Sequence, residues 1–167
     1  EETLLRQSDS LENHTIAVRR LIQQKPELAF EEYKTAGLVM QELRRMGIPY
    51  EESPVEPGIV AVIDSGKPGK LLMLRADMDA LPIEETAQVS FRSLNKGVMH
   101  ACGHDVHTAN LLAVGEILNG MKEFWSGRVK LVFQPAEERG GGGRQMIEAG
   151  LMEELPDACM ALHVTSD

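Results

Sequence analysis

The sequence is short of cysteine, of positive charge and of long apolar runs, and each shortage removes a class of protein. Two cysteines in 167 residues, Cys102 and Cys159, cannot build a disulfide scaffold. A single bridge is possible, but reduced thiols in a cytoplasmic protein are the simpler reading. A net charge of -9 argues against an unassisted nucleic-acid binder, because phosphate contacts need a basic face. It leaves anionic small molecules open, since a bound cation reverses the local field. The first thirty residues hold no signal-peptide core, and no stretch has the apolar length of a membrane-spanning helix, so no membrane partner is expected. No internal repeat or low-complexity segment stands out. What is there, 43% hydrophobic and 26% charged, is the composition of one globular domain with a proper core.

Helical spacing covers residues 10–24, with Ser10 as N-cap and Leu11, Ala17, Val18, Leu21 and Ile22 on one side; Lys25-Pro26 ends it. A second helix is expected over about 31–46, closed by Gly47 and Pro49. GIVAVID (58–64) and KLLMLRAD (70–77) are short β-rich runs joined by SGKPG, and so an antiparallel pair. A third helix follows over roughly 107–122, its stripe of Leu111, Val114, Leu118 and Met121 reading as core. RVKLVFQP (128–135) and ACMALHV (158–164) read as buried strands, with a short helix over 142–150 between them. The order implies an α/β fold: a largely parallel, mixed sheet with helices on both faces.

In such sheets ligands bind beyond the carboxyl ends of the strands. Asp77 and Asp79 follow one strand, Glu137 and Glu138 another, and His163 a third, while Cys102 and His104 immediately precede a helix. Each has a bland alternative. Cys102 and His104, two apart, present thiol and imidazole to the same side of an extended segment, which suits one zinc-like ion, yet a C-x-H triplet alone is weak. Asp105 either caps the next helix or orients a ligand histidine, and His107 is taken as a helix-start residue. Adjacent glutamates are most often a solvated loop. In a cleft, however, they would repel unless a cation lay between them, and one could then bind metal while the other handles protons. Asp77 and Asp79 could merely end their strand. A histidine on an apolar strand, such as His163, is more often a satisfied core residue. His14 reads as helix surface and Cys159 as packing.

RADMDALPIEE (75–85), MHACGHDVHTANLL (99–112), LVFQPAEERGGGGRQMIEAG (131–150) and DACMALHV (157–164) closely resemble the metal-dependent amidohydrolases related to aminoacylase and carboxypeptidase. The similarity is greatest to their hippurate hydrolase and auxin–amino-acid conjugate hydrolase branch, whose opening helix and turn RRLIQQKPELAFEEYKTA (19–36) also matches. The resemblance implies two divalent metal ions, zinc or manganese, with cobalt or nickel possible, at the ends of the strands. Cys102, His104, Glu138 and His163 would be metal ligands, Glu137 the general acid/base, and Asp79 a support behind them. Asp77 stands where more distant relatives have a ligand histidine. Three departures matter. Gln23 sits where many relatives place a histidine, and Arg139 where glycine is common. The family's chain is also more than twice as long. It leaves the catalytic domain after the strand bearing His163, builds a smaller, dimer-forming domain, and returns with a further ligand histidine. Residues 1–167 thus read as the first part of an incomplete catalytic domain, with TSD (165–167) starting the exit and homodimerisation expected of the full-length protein.

The implied activity is hydrolysis of the amide bond of small N-acyl amino acids, hippurate-like or other conjugates, by a metal-bound water that Glu137 deprotonates. The rival from another class is a catalytically silent metal-binding or interaction fragment. A third reading makes Cys102 a nucleophile activated by histidine, and leaves Glu137, Glu138 and His163 unexplained.

Overall fold

The computed structural model describes residues 2–165. Of the expected exit, TSD, Ser166 and Asp167 lie outside them. In chain order the elements are α1 (Glu2–Gln24), α2 (Tyr33–Met46), β1 (Tyr50–Glu52), β2 (Ile59–Asp64), β3 (Leu71–Asp77), α3 (His104–Gly120), β4 (Arg128–Gln134), α4 (Gly142–Met146) and β5 (Ala158–Ala161). The sheet order is β1-β2-β4-β3-β5. β3, β4 and β5 run parallel, with Asp77 opposite Gln134 and Arg75 opposite Ala161. Their carboxyl ends therefore share one edge, where the reactive groups lie. β2 is antiparallel to both β1 and β4. None of the described helices is long and apolar enough to cross a membrane.

Alternation along the strands decides the layers. Ile59, Ala61 and Ile63 of β2 and Val129, Leu131 and Phe133 of β4 face α1, α2 and α3 in one core with Val18, Ile22, Val39, Leu43 and Leu112. Burying the valine, leucine, isoleucine and phenylalanine side chains among these contributes roughly 1.5–3 kcal/mol each, which makes this the stronger face. The opposite face carries Val60, Val62 and Lys130 against Met146 and Leu151. Helices thus flank both faces, unequally.

Four expectations are corrected. The 58–64 and 70–77 strands do run in opposite directions, but β4 lies between them. The link folds around the entry to β4, with Ser65 N–H donating to Gly127 O and Gly127 N–H to Lys67 O. A turn-rich link reports reversal, and only the long-range demand for the most buried strand at the centre sets adjacency. α1 begins eight residues before Ser10, which sits inside the helix and bonds Gln7 O, because ETLLRQSD is itself helix-compatible and exposed. α3 starts at His104 rather than near residue 107, its N-cap Gly103 at φ +90°. β5 is exposed along its length, Cys159 included, because it forms an edge of the sheet. α2 ends as expected, at Gly47 in the left-handed conformation.

Candidate metal centre

His104 is the hub of the site, and its ring orientation follows from its hydrogen bonds. It is fully buried at the first turn of α3. Its Nδ1 donates to the carbonyl oxygen of Asp79 at 2.8 Å and lies 3.2 Å from Asp79 Oδ1. Nε2 therefore faces the strand ends, buried and without a hydrogen-bond partner. Around it stand Asp77 Oδ2 at 3.7 Å, Glu138 Oε1 at 3.9 Å and Glu137 Oε2 at 4.0 Å. Burial works against a charged imidazole, but the Asp79 hydrogen bond and the Asp77 and Asp79 charges outweigh it and raise the His104 pKa. The surroundings demand positive charge.

Asp79 organises the acidic turn after β4. Its Oδ1 accepts the backbone N–H of Glu137 at 3.0 Å and its Oδ2 that of Glu138 at 2.9 Å. Burial opposes the Asp79 anion, yet the bonds from His104 and these two N–H groups hold its pKa below the usual range. With their backbones tied, the two glutamate side chains are free to face the cleft, and they differ. Glu137 is 42% exposed, whereas Glu138 is 21% exposed with Oε1 buried and unpartnered.

The third strand end brings His163, whose Nε2 lies 3.5 Å from Cys102 Sγ. Donor atoms of Cys102, His104 and His163 fall within 4.8 Å of one another, and so do those of His104, Glu137 and Glu138. Donors sharing one tetrahedral ion sit about 3.3–3.8 Å apart, given metal bonds of roughly 2.0–2.3 Å. The two orphaned buried atoms, His104 Nε2 and Glu138 Oε1, are close to that separation. A thiol, imidazoles and carboxylates of this kind suit a zinc-like cation. Burial, then Glu138 and the other nearby carboxylates, push the Cys102 thiol up to about 11. That is the reverse of what an activated cysteine nucleophile needs.

In a third group within the same limit, Asp77, His104 and His107, the Asp77 and His107 atoms are already taken by other partners. Val164 N–H donates to His107 Nε2 at 3.0 Å, so the ring proton is on Nδ1, which donates to Asp77 Oδ1 at 2.6 Å. Asp77 Oδ2 pairs with Arg75 at 2.7 Å. His107 thus ties β3 to the segment bearing His163. From the sequence His107 is only a helix-start residue, although its i+3 spacing from His104 signals that both share a helix face. The Asp105 carboxylate hydrogen-bonds neither the start of α3 nor a site histidine; buried, it pairs with Arg19 of α1 at 2.6 Å. Gln23 is buried, donating to Glu85 and accepting from Arg19. His14 is a partly exposed helix residue bonded to Glu42.

Residues 73–167 match the peptidase family M20/M25/M40. Thermostable carboxypeptidase 2 of Saccharolobus solfataricus is 48% identical over 99% of this chain and 42% of its own length. The N-acyl-L-amino acid amidohydrolase of Geobacillus stearothermophilus is 39% identical over 99% of this chain and 45% of its own. A solved Bacillus subtilis structure, described as a dinuclear metal binding peptidase from the M20 family, superposes with a TM-score of 0.91 at 35% identity, covering 95% of this chain and 45% of that one. The chain spans less than half the length of these relatives. Given a family match from the middle of β3 onward and, over 99% of its length, 48% identity to a carboxypeptidase, the chain belongs to peptidase family M20/M25/M40.

Proposed function

We propose that this chain is the metal-holding part of an amidohydrolase that cleaves the amide bond of N-acyl amino acids. The observation that carries the reading is the pairing of two buried, partnerless donors, His104 Nε2 and Glu138 Oε1, beside the more exposed carboxylate of Glu137. Cys102, His104, Glu138 and His163 would hold two divalent ions, zinc or manganese, at the strand ends. Such ions acidify a water and polarise an amide carbonyl. Glu137, open to solvent, takes the proton from the attacking water and delivers it to the amine as the carbon–nitrogen bond breaks, since an amine leaves poorly as an anion. Asp79 keeps Glu137 and Glu138 at their stations. The names of the carboxypeptidase and amidohydrolase relatives share one bond type, an amide joining an acyl group to an amino acid, and that bond is the substrate class proposed here. Reduced thiols fit a cytoplasmic place for the protein.

The test is release of free amino acid from benzoyl-, acetyl- and indoleacetyl-amino acids by the metal-loaded protein. Glu137→Ala lowers turnover by roughly 10²–10⁴-fold, the range for losing a general base, with metal content unchanged. Turnover retained in that variant, or metal lost with turnover intact, overturns the assignment. Metal bound stoichiometrically without turnover of any of these amides supports the silent metal-binding alternative instead.

A further inference from the structure

Glu32 lies just before α2, far from the site in sequence, and is fully buried. It occupies the N-cap position of α2, yet its side chain does not cap that helix. Glu27 does so instead, its carboxylate accepting the N–H groups of Lys34 and Thr35 and the Thr35 hydroxyl. The Glu32 carboxylate is thereby left free to reach across to the turn after β4, where Oε1 accepts the backbone N–H of Ala136 at 2.7 Å. Its other oxygen is buried without a partner.

Ala136 needs holding. Its φ of +52° is a left-handed conformation that costs an alanine free energy, tolerated where the surroundings over-determine it. Its carbonyl accepts the N–H of Gly142 at 3.0 Å. Three consecutive N–H groups, of Ala136, Glu137 and Glu138, are therefore each taken by a carboxylate oxygen, the first by Glu32 and the next two by Asp79. The backbone segments that bear the two carboxylates are also tied to each other: Leu28 bridges to Ala80, and Ala80 N–H donates to Glu27 O at 2.8 Å. The segment before α2 and the end of β3 thus grip one turn from two sides, leaving only the Glu137 and Glu138 side chains to project.

We propose that Glu32 is a positioning residue of the metal centre, setting through the Ala136 N–H the turn that presents Glu137 and Glu138. A buried carboxyl with an unsatisfied oxygen is a poor stabiliser, which separates this role from a merely structural one. Burial, only partly offset by the Ala136 bond, raises its pKa to about 7. An apolar residue relieves that penalty but loses the acceptor.

The experiment compares Glu32→Leu and Glu32→Gln with the parent protein by zinc titration, melting temperature, hydrogen exchange at the Ala136 amide and, resting on the function proposed above, kcat and KM. Residues behind a metal site typically contribute 10–100-fold to affinity or activity. Glu32→Leu is expected to weaken zinc binding by about tenfold or more, to speed Ala136 exchange, and to lower kcat with KM within about twofold, without a lower melting temperature. Glu32→Gln, which keeps a carbonyl oxygen, recovers most of the zinc affinity. Unchanged zinc affinity in Glu32→Leu overturns the inference, as does a loss that merely follows a fall in melting temperature. Should the parent protein cleave no N-acyl amino acid, the proposed function fails, while zinc affinity and Ala136 exchange still decide the role of Glu32.

Discussion

Asp79 Oδ2 accepts the backbone N–H of Glu138 at 2.9 Å, while Oδ1 of the same carboxylate accepts that of Glu137. Both oxygens are thus committed, and the carbonyl of the same residue fixes His104 through Nδ1. One residue aims three donors. Asp79→Asn replaces one oxygen with an NH2 group that faces an N–H, so one buried backbone donor loses its acceptor. The expected cost is about 1–3 kcal/mol of stability together with a roughly 10–100-fold loss of zinc affinity. Urea denaturation of the metal-free protein and zinc titration measure the two separately.

His107 divides two ways of reading the acidic pocket. Its Nε2 accepts from Val164 N–H and its Nδ1 bonds Asp77, so neither nitrogen is free for an ion. Nitrogen NMR of the histidine rings should show a protonated Nδ1 and a bare Nε2 on His107. Adding zinc should shift the ring signals of His104 and His163 strongly and those of His107 little. A ligand-like shift at His107 would assign the ion to the Asp77, His104 and His107 group instead.

What was legible in the sequence was local or positional. The gathering of polar side chains at the strand ends is legible because a parallel sheet collects the residues after each strand on one edge, wherever the strands sit in the order. Glu137, Glu138 and His163 are drawn together on that principle, and Cys102 and His104 join them from the start of α3. The adjacency of β2 and β3 was misread because the SGKPG link signals reversal, while the place of β4 between them depends on burial along its whole length, a property of the assembled core. Glu32 carried no signal at all. Its partner is a backbone N–H 104 residues away, and no spacing pattern encodes a side-chain bond to a distant turn. The exposure of β5 was equally invisible, since ACMALHV reads as apolar whatever covers it.

Glu32 should also leave a mark on the pH dependence of stability. In the unfolded chain its carboxyl titrates near the ordinary 4.5, whereas in the fold burial, with Asp79 and Glu27 adding repulsion, raises it to about 7. Between those values the folded protein keeps a proton that the unfolded chain has released, so stability falls as pH rises through this window and levels above it. The contribution is about 3 kcal/mol at most. Glu32→Gln has no proton to lose there. Denaturation of the metal-free proteins at pH 5 and 7.5 should show the variant gaining on the parent at the higher pH; parallel curves would place the Glu32 carboxyl in its ordinary range.

Gly103, between Cys102 and His104, offers a test of how the α3 start and the His163 segment fit together. At φ +90° it occupies a region that side-chain-bearing residues rarely adopt, and a Cβ there would collide with Val164 Cγ2. Gly103→Ala therefore combines backbone strain of about 1–3 kcal/mol with a collision that pushes Val164, and His163 with it, away from Cys102. Zinc affinity should fall along with stability. Val164→Ala removes the colliding methyl while keeping the backbone N–H that His107 accepts. The double variant should therefore regain the part of the loss due to the collision and keep the part due to the backbone. A coupling beyond the roughly 0.5 kcal/mol scatter of independent sites would report the contact. Strict additivity would mean that the glycine is required for its conformation alone.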